Sequence, residues 1–290
     1  MSWCRVNLIC NRNDANIIEE ILVAHEAISI SMVDKSFDSP IFEPRVGETP
    51  LWRVIKISAL FDEKKSKEII DSYLEGIPYS NLTISKLHNQ NWIGKYQKNF
   101  KPIKIGKRLW VVPSWSQNLS NREGVKLKIN PGMAFGSGSH ETTHLCLEYL
   151  DGNPPNKVSI LDYGCGSGIL SIASILLGAT KAIAVDIDPQ ALLATKENAI
   201  ENKVVDKIKI GVPKDFTDIK VDIVIANIFS NTLIALRDTF AGYLESNSKL
   251  VLCGIMNEHL NQILDYYEKL FCFNKIEKKN DWLLIELSKK

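Results

Sequence analysis

At 290 residues and 32.6 kDa, the chain is long enough for one large domain or for two. Apolar residues make up 45% and charged residues 24%, as in an ordinary globular protein, and the formal net charge of +1 gives no overall reason to bind nucleic acid or an anionic membrane. No stretch approaches the ~20 apolar residues of a membrane-spanning helix and the N terminus turns polar too early for a signal peptide, so we expect a cytoplasmic protein without membrane association or stable nucleic-acid binding.

The first predicted domain spans residues 1–88. Its pattern is strand, helix, strand, strand, helix, strand, with clear alternation in WRVIKISALF and an amphipathic run in DEKKSKEIIDSYLEG. This order favours a small α+β, ferredoxin-like split βαβ sandwich. The proline- and glycine-containing segment 36–50 is predicted as an exposed loop within it.

Residues 89–122 are predicted to form a linker with a short helix. No acidic residue occurs between Trp92 and Arg122, and Trp92, Tyr96 and Phe100 recur every fourth residue before Pro102. Interleaved lysines and aromatic residues are also typical of an RNA-binding surface. We favour a helix that packs its aromatic face and leaves its lysines in water.

From residue 123 to residue 290 the pattern is that of an α/β domain. Near-continuous apolar strands alternate with helical runs, which indicates a mainly parallel sheet buried on both faces. The predicted strands are KVSILDYG, AIAVDID, KIKIGV, VDIVIAN and KLVLCGIM. The final FCFNKIEKKNDWLLIELSK predicts a hairpin, so the last strands should be antiparallel.

A glycine-rich turn follows the first of these strands. In ILDYGCGSGIL the strand ends at Asp162, and Gly164, Gly166 and Gly168 precede a helix. Glycines allow unusual backbone dihedrals and close approach of a ligand. The spacing is neither the dinucleotide fingerprint G-x-G-x-x-G nor a P-loop.

The next strand, AIAVDID, ends in Asp186 and Asp188, about 20 residues after the glycine turn. A carboxylate there suits the two hydroxyls of an adenosyl ribose and would repel a 2′-phosphate. Asp188 precedes Pro189, as a helix N-cap precedes a first-turn proline, so we assign Asp186 to the ribose and Asp188 to the cap.

The cysteines do not point to further chemistry. The six are scattered without a C-x-x-C pair or a Cys/His cluster at zinc-ligand spacing, which predicts reduced thiols and no metal site. Cys165 lies in the glycine turn but has no neighbouring base in sequence, so we do not expect a catalytic thiol.

A second glycine loop, NPGMAFGSGSHETT, occupies residues 130–143, ahead of the turn. It predicts a strand-to-helix connection that folds over a ligand, with the helix starting near His140 and Ser139 as its N-cap. The lysine and spacing of a Walker motif are missing.

Together, Asp162, the G-x-G-x-G spacing and the closing hairpin resemble the seven-stranded, Rossmann-like class I fold of S-adenosylmethionine-dependent methyltransferases. The NPGMAFGSGSHETT loop, with DYGCGSGIL, DIDPQAL, ENA and IVIANI, is similar more narrowly to the bacterial PrmA family, which methylates the eleventh protein of the large ribosomal subunit. The likeness spans the whole chain and matches the family's small N-terminal domain, linker and methyltransferase domain.

The resemblance implies S-adenosyl-L-methionine as cofactor and a ribosomal protein as partner, held by the N-terminal domain while the linker lets that domain swing. It also implies that Thr143, Gly164, Asp186 and Asn227 bind the cofactor and that Phe135 and Gly136 lie in the loop that closes over it. From the strand end and glycine turn themselves, Asp162, Gly166 and Gly168 are further candidates for cofactor binding.

For the chemistry, the resemblance implies methyl transfer to lysine side-chain and N-terminal amines. Asn227 is expected to orient the amine, and His140 is a candidate base, although a lone histidine in a first helical turn is more often structural. NIFS at 227–230 lacks the Asn-Pro-Pro-Tyr pattern of base and amide methyltransferases. The alternatives are an RNA methyltransferase, an NAD-dependent oxidoreductase, which the missing third glycine disfavours, and a non-catalytic adenosyl-binding module.

Overall fold

The computed structural model describes residues 3–36, 50–62, 64–87, 100–116, 123–130 and 138–290. They belong to two compact units, residues 1–95 and 96–290. None of the described helices is long and apolar enough to cross a lipid bilayer.

The first unit has the predicted order of six elements. These are β1 (Trp3–Asn11), α1 (Arg12–Ala24), β2 (Ser29–Asp34), β3 (Val54–Phe61), α2 (Lys67–Tyr73) and β4 (Ser80–Leu87). The strands form one sheet in the order β2-β3-β1-β4, with all neighbours antiparallel. This is the split βαβ arrangement.

The core of this unit lies on one face of the sheet. Alternate residues of β1 and β3 are buried against Ile18 and Leu22 of α1. The opposite face carries a polar row: Ser58 Oγ donates to Asn7 Oδ1 at 2.7 Å, and Asn7 Nδ2 donates to Thr83 Oγ1 at 3.3 Å. The sheet is therefore two-sided, with an apolar face and a polar one.

The second unit is built on a seven-stranded sheet. Its strands are β8 (Ser159–Tyr163), β9 (Lys181–Val185), β10 (Ile208–Gly211), β11 (Val221–Asn227), β12 (Leu244–Met256), β13 (Phe271–Lys279) and β14 (Trp282–Lys289). Their order is β10-β9-β8-β11-β12-β14-β13, and β14 runs antiparallel to both β12 and β13. The other pairs are parallel. The predicted strands and closing hairpin are confirmed.

Helices cover both faces of this sheet. They are α3 (Glu141–Gly152), α4 (Ile169–Leu176), α5 (Pro189–Glu201), α6 (Ser230–Ala235), α7 (Arg237–Tyr243) and α8 (Leu260–Tyr267). One apolar cluster joins α3, α4 and α5 to the sheet, and another joins α6, α7 and α8. Burial on both faces explains the near-continuous apolar strands.

The described part of the predicted linker, residues 100–116, forms regular structure. It contains β5 (Ile103–Ile105) and β6 (Leu109–Pro113), which join β7 (Val125–Ile129) in a three-stranded sheet. Ile105, Leu109 and Val111 are buried in the cluster that holds α3 and α4, and this burial favours strands here. Trp92 and Tyr96 of the predicted helix lie outside the described residues, and Phe100 packs edge-on against Trp115.

Candidate functional site at the carboxyl edge of the seven-stranded sheet

The glycine turn after β8 uses the conformational freedom of glycine at three positions. Gly164, Gly166 and Gly168 have φ of +79°, +54° and +77°, in the left-handed region. The backbone N–H groups of Gly164 and Cys165 donate to Val185 O at 2.7 and 3.0 Å. The turn is thereby fixed to the end of β9.

Asp186 follows β9 and contacts the turn directly. Its Oδ2 accepts from Gly166 N at 3.0 Å, and its Oδ1 accepts from Asp188 N at 3.0 Å. Each carboxylate oxygen keeps one lone pair for a further donor. Asp188 accepts from Gln190 N at 2.8 Å and caps α5, as predicted.

Helix α5 supports the turn through two buried polar residues that the sequence did not reveal. Thr195 Oγ1 donates to Gly166 O at 3.0 Å, and Asn198 Nδ2 donates to Ser167 O at 2.9 Å. Asn198 Oδ1 also accepts from Asn130 N at 2.9 Å. Their spacing of three residues was the available signal, since it puts both on one helical face.

Asp162 lies beneath the turn and is 1% exposed. Its Oδ2 accepts from Ser171 N at 2.9 Å and from Ser171 Oγ at 2.8 Å. Its Oδ1 has no hydrogen-bond partner among the described residues. Burial raises the pKa of this carboxyl to about 6, while the Ser171 hydrogen bonds oppose the shift and the charge of Asp186 adds to it.

Thr143, in the first turn of α3, has the same kind of buried, unused oxygen. It is 1% exposed, and its Oγ1 has no partner within the described parts of the chain. Buried polar atoms are nearly always hydrogen-bonded, so one without a partner calls for an explanation such as contact with a bound ligand or water. Thr143 and Asp162 each present one such atom.

The start of α3 differs from the prediction by one residue. The helix begins at Glu141, and its N-cap is His140 rather than Ser139. His140 Nδ1 lies 3.3 Å from Thr142 N, from which it accepts, and 2.8 Å from Thr142 Oγ1. The imidazole also packs edge-on against Trp282, with ring centroids 5.3 Å apart, and this packing favours His140 as the cap.

Asn227 is the last residue of β11 and pairs with Cys253 of β12. The next residue, Ile228, lies against Gly164 and Gly254, where a β-carbon on either glycine would overlap it. Asn227 therefore sits beside the glycine turn. Phe135 and Gly136 lie outside the described residues.

Ile187, between Asp186 and Asp188, is 81% exposed, which gives the site an open apolar surface that the sequence did not reveal.

Cys165 is buried, and burial raises the pKa of its thiol far above the ordinary value, so a reactive thiolate is disfavoured. All six cysteines are free thiols, and the described residues hold no metal-site cluster.

The strand order, the antiparallel β14 and the glycine turn before an acidic strand end define the second unit as a class I methyltransferase domain. Comparison with known proteins narrows the class. The model of the family described as ribosomal protein L11 methyltransferase (PrmA) matches residues 2–290. The chain belongs to this family.

Relatives and solved structures agree with that assignment. Proteins named ribosomal protein L11 methyltransferase are 37% identical over 287 residues in Shewanella sp. (strain W3-18-1), covering 97% of each chain, and 39% identical over 291 residues in Nitrosococcus oceani, covering 98% of each chain. The crystal structure of ribosomal protein L11 methylase from Lactobacillus delbrueckii subsp. bulgaricus superimposes with a TM-score of 0.60 at 27% identity, covering 66% of this chain and all of that one.

Proposed function

We propose that the chain transfers methyl groups from S-adenosyl-L-methionine to lysine side-chain and N-terminal amines of ribosomal protein L11. The observation that carries this proposal is the family match over residues 2–290. The glycine turn, Asp186 and Asn227 lie within the matched residues. A ribosomal acceptor implies that the reaction takes place in the cytoplasm.

The residues at the carboxyl edge fit the cofactor. Left-handed glycines at 164, 166 and 168 remove β-carbons from a turn that a ligand would approach closely. Asp186 keeps a lone pair on each oxygen for the two ribose hydroxyls, and Ile187 offers an apolar surface for the adenine. These features support the cofactor assignment.

Two buried oxygens add to this fit. Thr143 Oγ1 and Asp162 Oδ1 are acceptors without a described partner, and we assign them to polar groups of the cofactor or to water that binds with it. By the family resemblance, Phe135 and Gly136 would close over the same ligand. When bound, the cofactor supplies a methyl group on a sulfonium centre.

The chain's own contribution is to orient and desolvate the acceptor. A lysine amine has an ordinary pKa of ~10.4 and an N-terminal amine ~7.7–8.0, and only the neutral form is a nucleophile. Desolvation and a neighbouring positive charge both lower an amine's pKa. We assign to Asn227, with nearby backbone carbonyls, the task of orienting the amine, and to proximity most of the rate enhancement.

His140 remains the candidate base. Its Nδ1 hydrogen-bonds at the N-terminus of α3, and this contact favours a structural role in which the ring caps the helix. General-base catalysis would require Nε2 to reach the amine.

By the family pattern, we assign residues 1–88 to recognition of L11 and residues 123–290 to methyl transfer. Of the predicted linker 89–122, residues 100–116 pack with the methyltransferase domain and belong with it in this assignment. The polar face of the first unit's sheet, with its Ser58–Asn7–Thr83 row, is a surface on which a protein acceptor can make hydrogen bonds.

The test is to incubate the purified chain and labelled S-adenosylmethionine with one candidate acceptor at a time: L11, ribosomal RNA or an unrelated basic protein. Mass spectrometry then locates the label. We expect the label on amines of L11 alone. Label in RNA, with activity that falls steeply with salt, would favour an RNA methyltransferase. Cofactor binding without any transfer would favour a non-catalytic module, and preferential binding of NAD an oxidoreductase.

A further inference from the structure

The segment Asn227–Ser230 leaves the sheet beside the glycine turn. It connects β11 to α6, and the 3₁₀ turn Asn257–His259 connects β12 to α8. Because β11 and β12 are parallel neighbours, both connections emerge at the same edge of the sheet. Contacts between the two connections can therefore hold each of them in place.

The first half of this segment is held by close packing. A β-carbon on Gly254, whose φ is +82°, would overlap the carbonyl oxygen of Ile228. The pairing of β12 with β14 shifts register between Cys253 and Ile255, and this irregularity lets the strand accommodate the segment. The backbone at Ile228 thus packs directly on β12.

The second half is held by a side-chain hydrogen bond. Ser230 is 1% exposed, and its Oγ lies 3.1 Å from His259 Nδ1. His259 has 25% of its side chain exposed, and its Nε2 lies 3.7 Å from Glu258 Oε1. Its turn is itself anchored, since Asn257 N donates to Asp281 O at 2.9 Å. The imidazole joins two connections that are each fixed elsewhere.

Between these two anchors lies Phe229, which is 57% exposed. A large apolar side chain so exposed, two residues from Asn227, offers a surface for an apolar group. The four-carbon chain of a lysine is such a group, since its stem packs on apolar surfaces while its amine stays polar.

We propose that the Ser230–His259 hydrogen bond is a positioning contact for methyl transfer: it fixes the Asn227–Ser230 segment so that Phe229 packs against the aliphatic chain of the acceptor lysine. The inference rests on the function proposed above and specifies how the same site treats its acceptor. His259 acts through Ser230 and is a positioning residue.

The experiment uses the full chain in four variants, Ser230→Ala, His259→Ala, the double variant and His259→Asn. Steady-state methylation of L11 gives kcat and KM, and calorimetry gives the Kd for S-adenosylmethionine. We expect each alanine variant to lower kcat about tenfold, because a small misplacement of reacting groups is costly. The double variant should be no slower than either single one, and His259→Asn should restore most of the rate. The cofactor Kd should not change.

Phe229 gives an independent readout. Phe229→Ser should raise KM for L11, and Phe229→Leu should retain most of the affinity, because leucine keeps the apolar surface. Thermal melting of each variant checks that it is folded, and if His259→Ala is not, His259→Asn and Ser230→Ala still form the comparison.

An unchanged kcat in both alanine variants, or rate losses that multiply in the double variant, would overturn the inference. A wild-type chain that binds the cofactor but does not methylate L11 would instead overturn the proposed function. The two failures are distinguishable because the first is measured relative to an active wild type.

Discussion

An aspartate that accepts hydrogen bonds from a serine occurs at both the carboxyl and the amino edge of the seven-stranded sheet, but the pKa of the aspartate shifts in opposite directions. At the carboxyl edge, Asp162 accepts from the backbone N–H and hydroxyl of Ser171 at 2.9 and 2.8 Å. At the amino edge, Asp222 accepts from the same two groups of Ser159, both at 2.7 Å. The pKa of Asp162 is raised, whereas that of Asp222 is lowered.

Burial explains the difference. Asp222 is exposed, so the hydrogen bonds from Ser159 decide the direction of its shift. Asp162 is almost fully buried, so the cost of desolvating its charge exceeds the gain from Ser171. Asp162 at the carboxyl edge is thus kept from water, whereas Asp222 at the amino edge is not.

The largest effect is expected at Asp186. Asp186→Ala removes acceptors for the ribose and for Gly166 N, so the Kd for S-adenosylmethionine should rise about 100-fold, given 1.5–3 kcal/mol for a hydrogen bond to a charged group. The matched control is Asp188→Ala, which removes a helix cap and should cost about 1 kcal/mol of stability with little change in Kd. Equal losses of affinity in both variants would contradict the assignment.

Asn227→Ala should lower kcat for L11 methylation about tenfold, because the amine loses an orienting group, a loss of about 1.4 kcal/mol. The cofactor Kd should change less than kcat. Asn280→Ala, which removes an exposed hydrogen bond to Glu141, is the control and should turn over normally. Normal turnover by Asn227→Ala would remove the orienting role.

The two edges also offer a pair of left-handed glycines. Gly164→Ala should weaken cofactor binding several-fold and destabilise the fold by roughly 1–3 kcal/mol, because its φ is +79° and Ile228 occupies the space of a β-carbon. Gly178→Ala, at the amino edge with φ +119°, should destabilise comparably without affecting cofactor binding. Calorimetry and urea unfolding check the two effects, and a cofactor defect in Gly178→Ala would refute the distinction.

The pH dependence of folding stability should distinguish Asp162 from Asp222. The folded-state pKa of Asp162 is raised from 3.8 to about 6, so the folded state loses stability as pH rises through that window, by up to about 3 kcal/mol. Asp162→Asn removes this loss and should gain stability relative to wild type above pH 6. Asp222 contributes stability above its ordinary pKa that is lost in acid, so Asp222→Asn should lose stability at neutral pH.

Urea unfolding between pH 4.5 and 7.5 measures both variants against wild type. The two differences should have opposite signs at neutral pH. Differences of the same sign would show that burial does not decide the state of Asp162.

The smallest effect on rate is expected at His140. His140→Gln should leave the single-turnover rate unchanged across pH 7–9, and loss of the cap should cost about 1 kcal/mol of stability. A fall in rate of about 100-fold or more would instead identify a general base.

Local patterns in the sequence predicted much of the carboxyl edge of the seven-stranded sheet. Continuous apolar runs predicted the buried parallel strands, and the residue types in ILDYGCGSG and DIDP predicted the turn, the acidic strand end and the cap on α5. These features depend on neighbours within a few residues. The supporting contacts of Thr195 and Asn198 did not follow, since a polar helical face facing inward has the same spacing as one facing water.

The sequence by itself predicted the two folds and the residues of the glycine turn, because strand burial, glycine spacing and capping are local, and the family followed from the resemblance of its motifs. Only the tertiary structure decided the state of those residues. It buried Asp162 and Thr143 with one oxygen each that has no partner among the described residues, placed Ile228 against Gly164 and Gly254, and joined Ser230 to His259. Desolvation and close packing depend on residues that are distant in the chain, and no short segment specifies them.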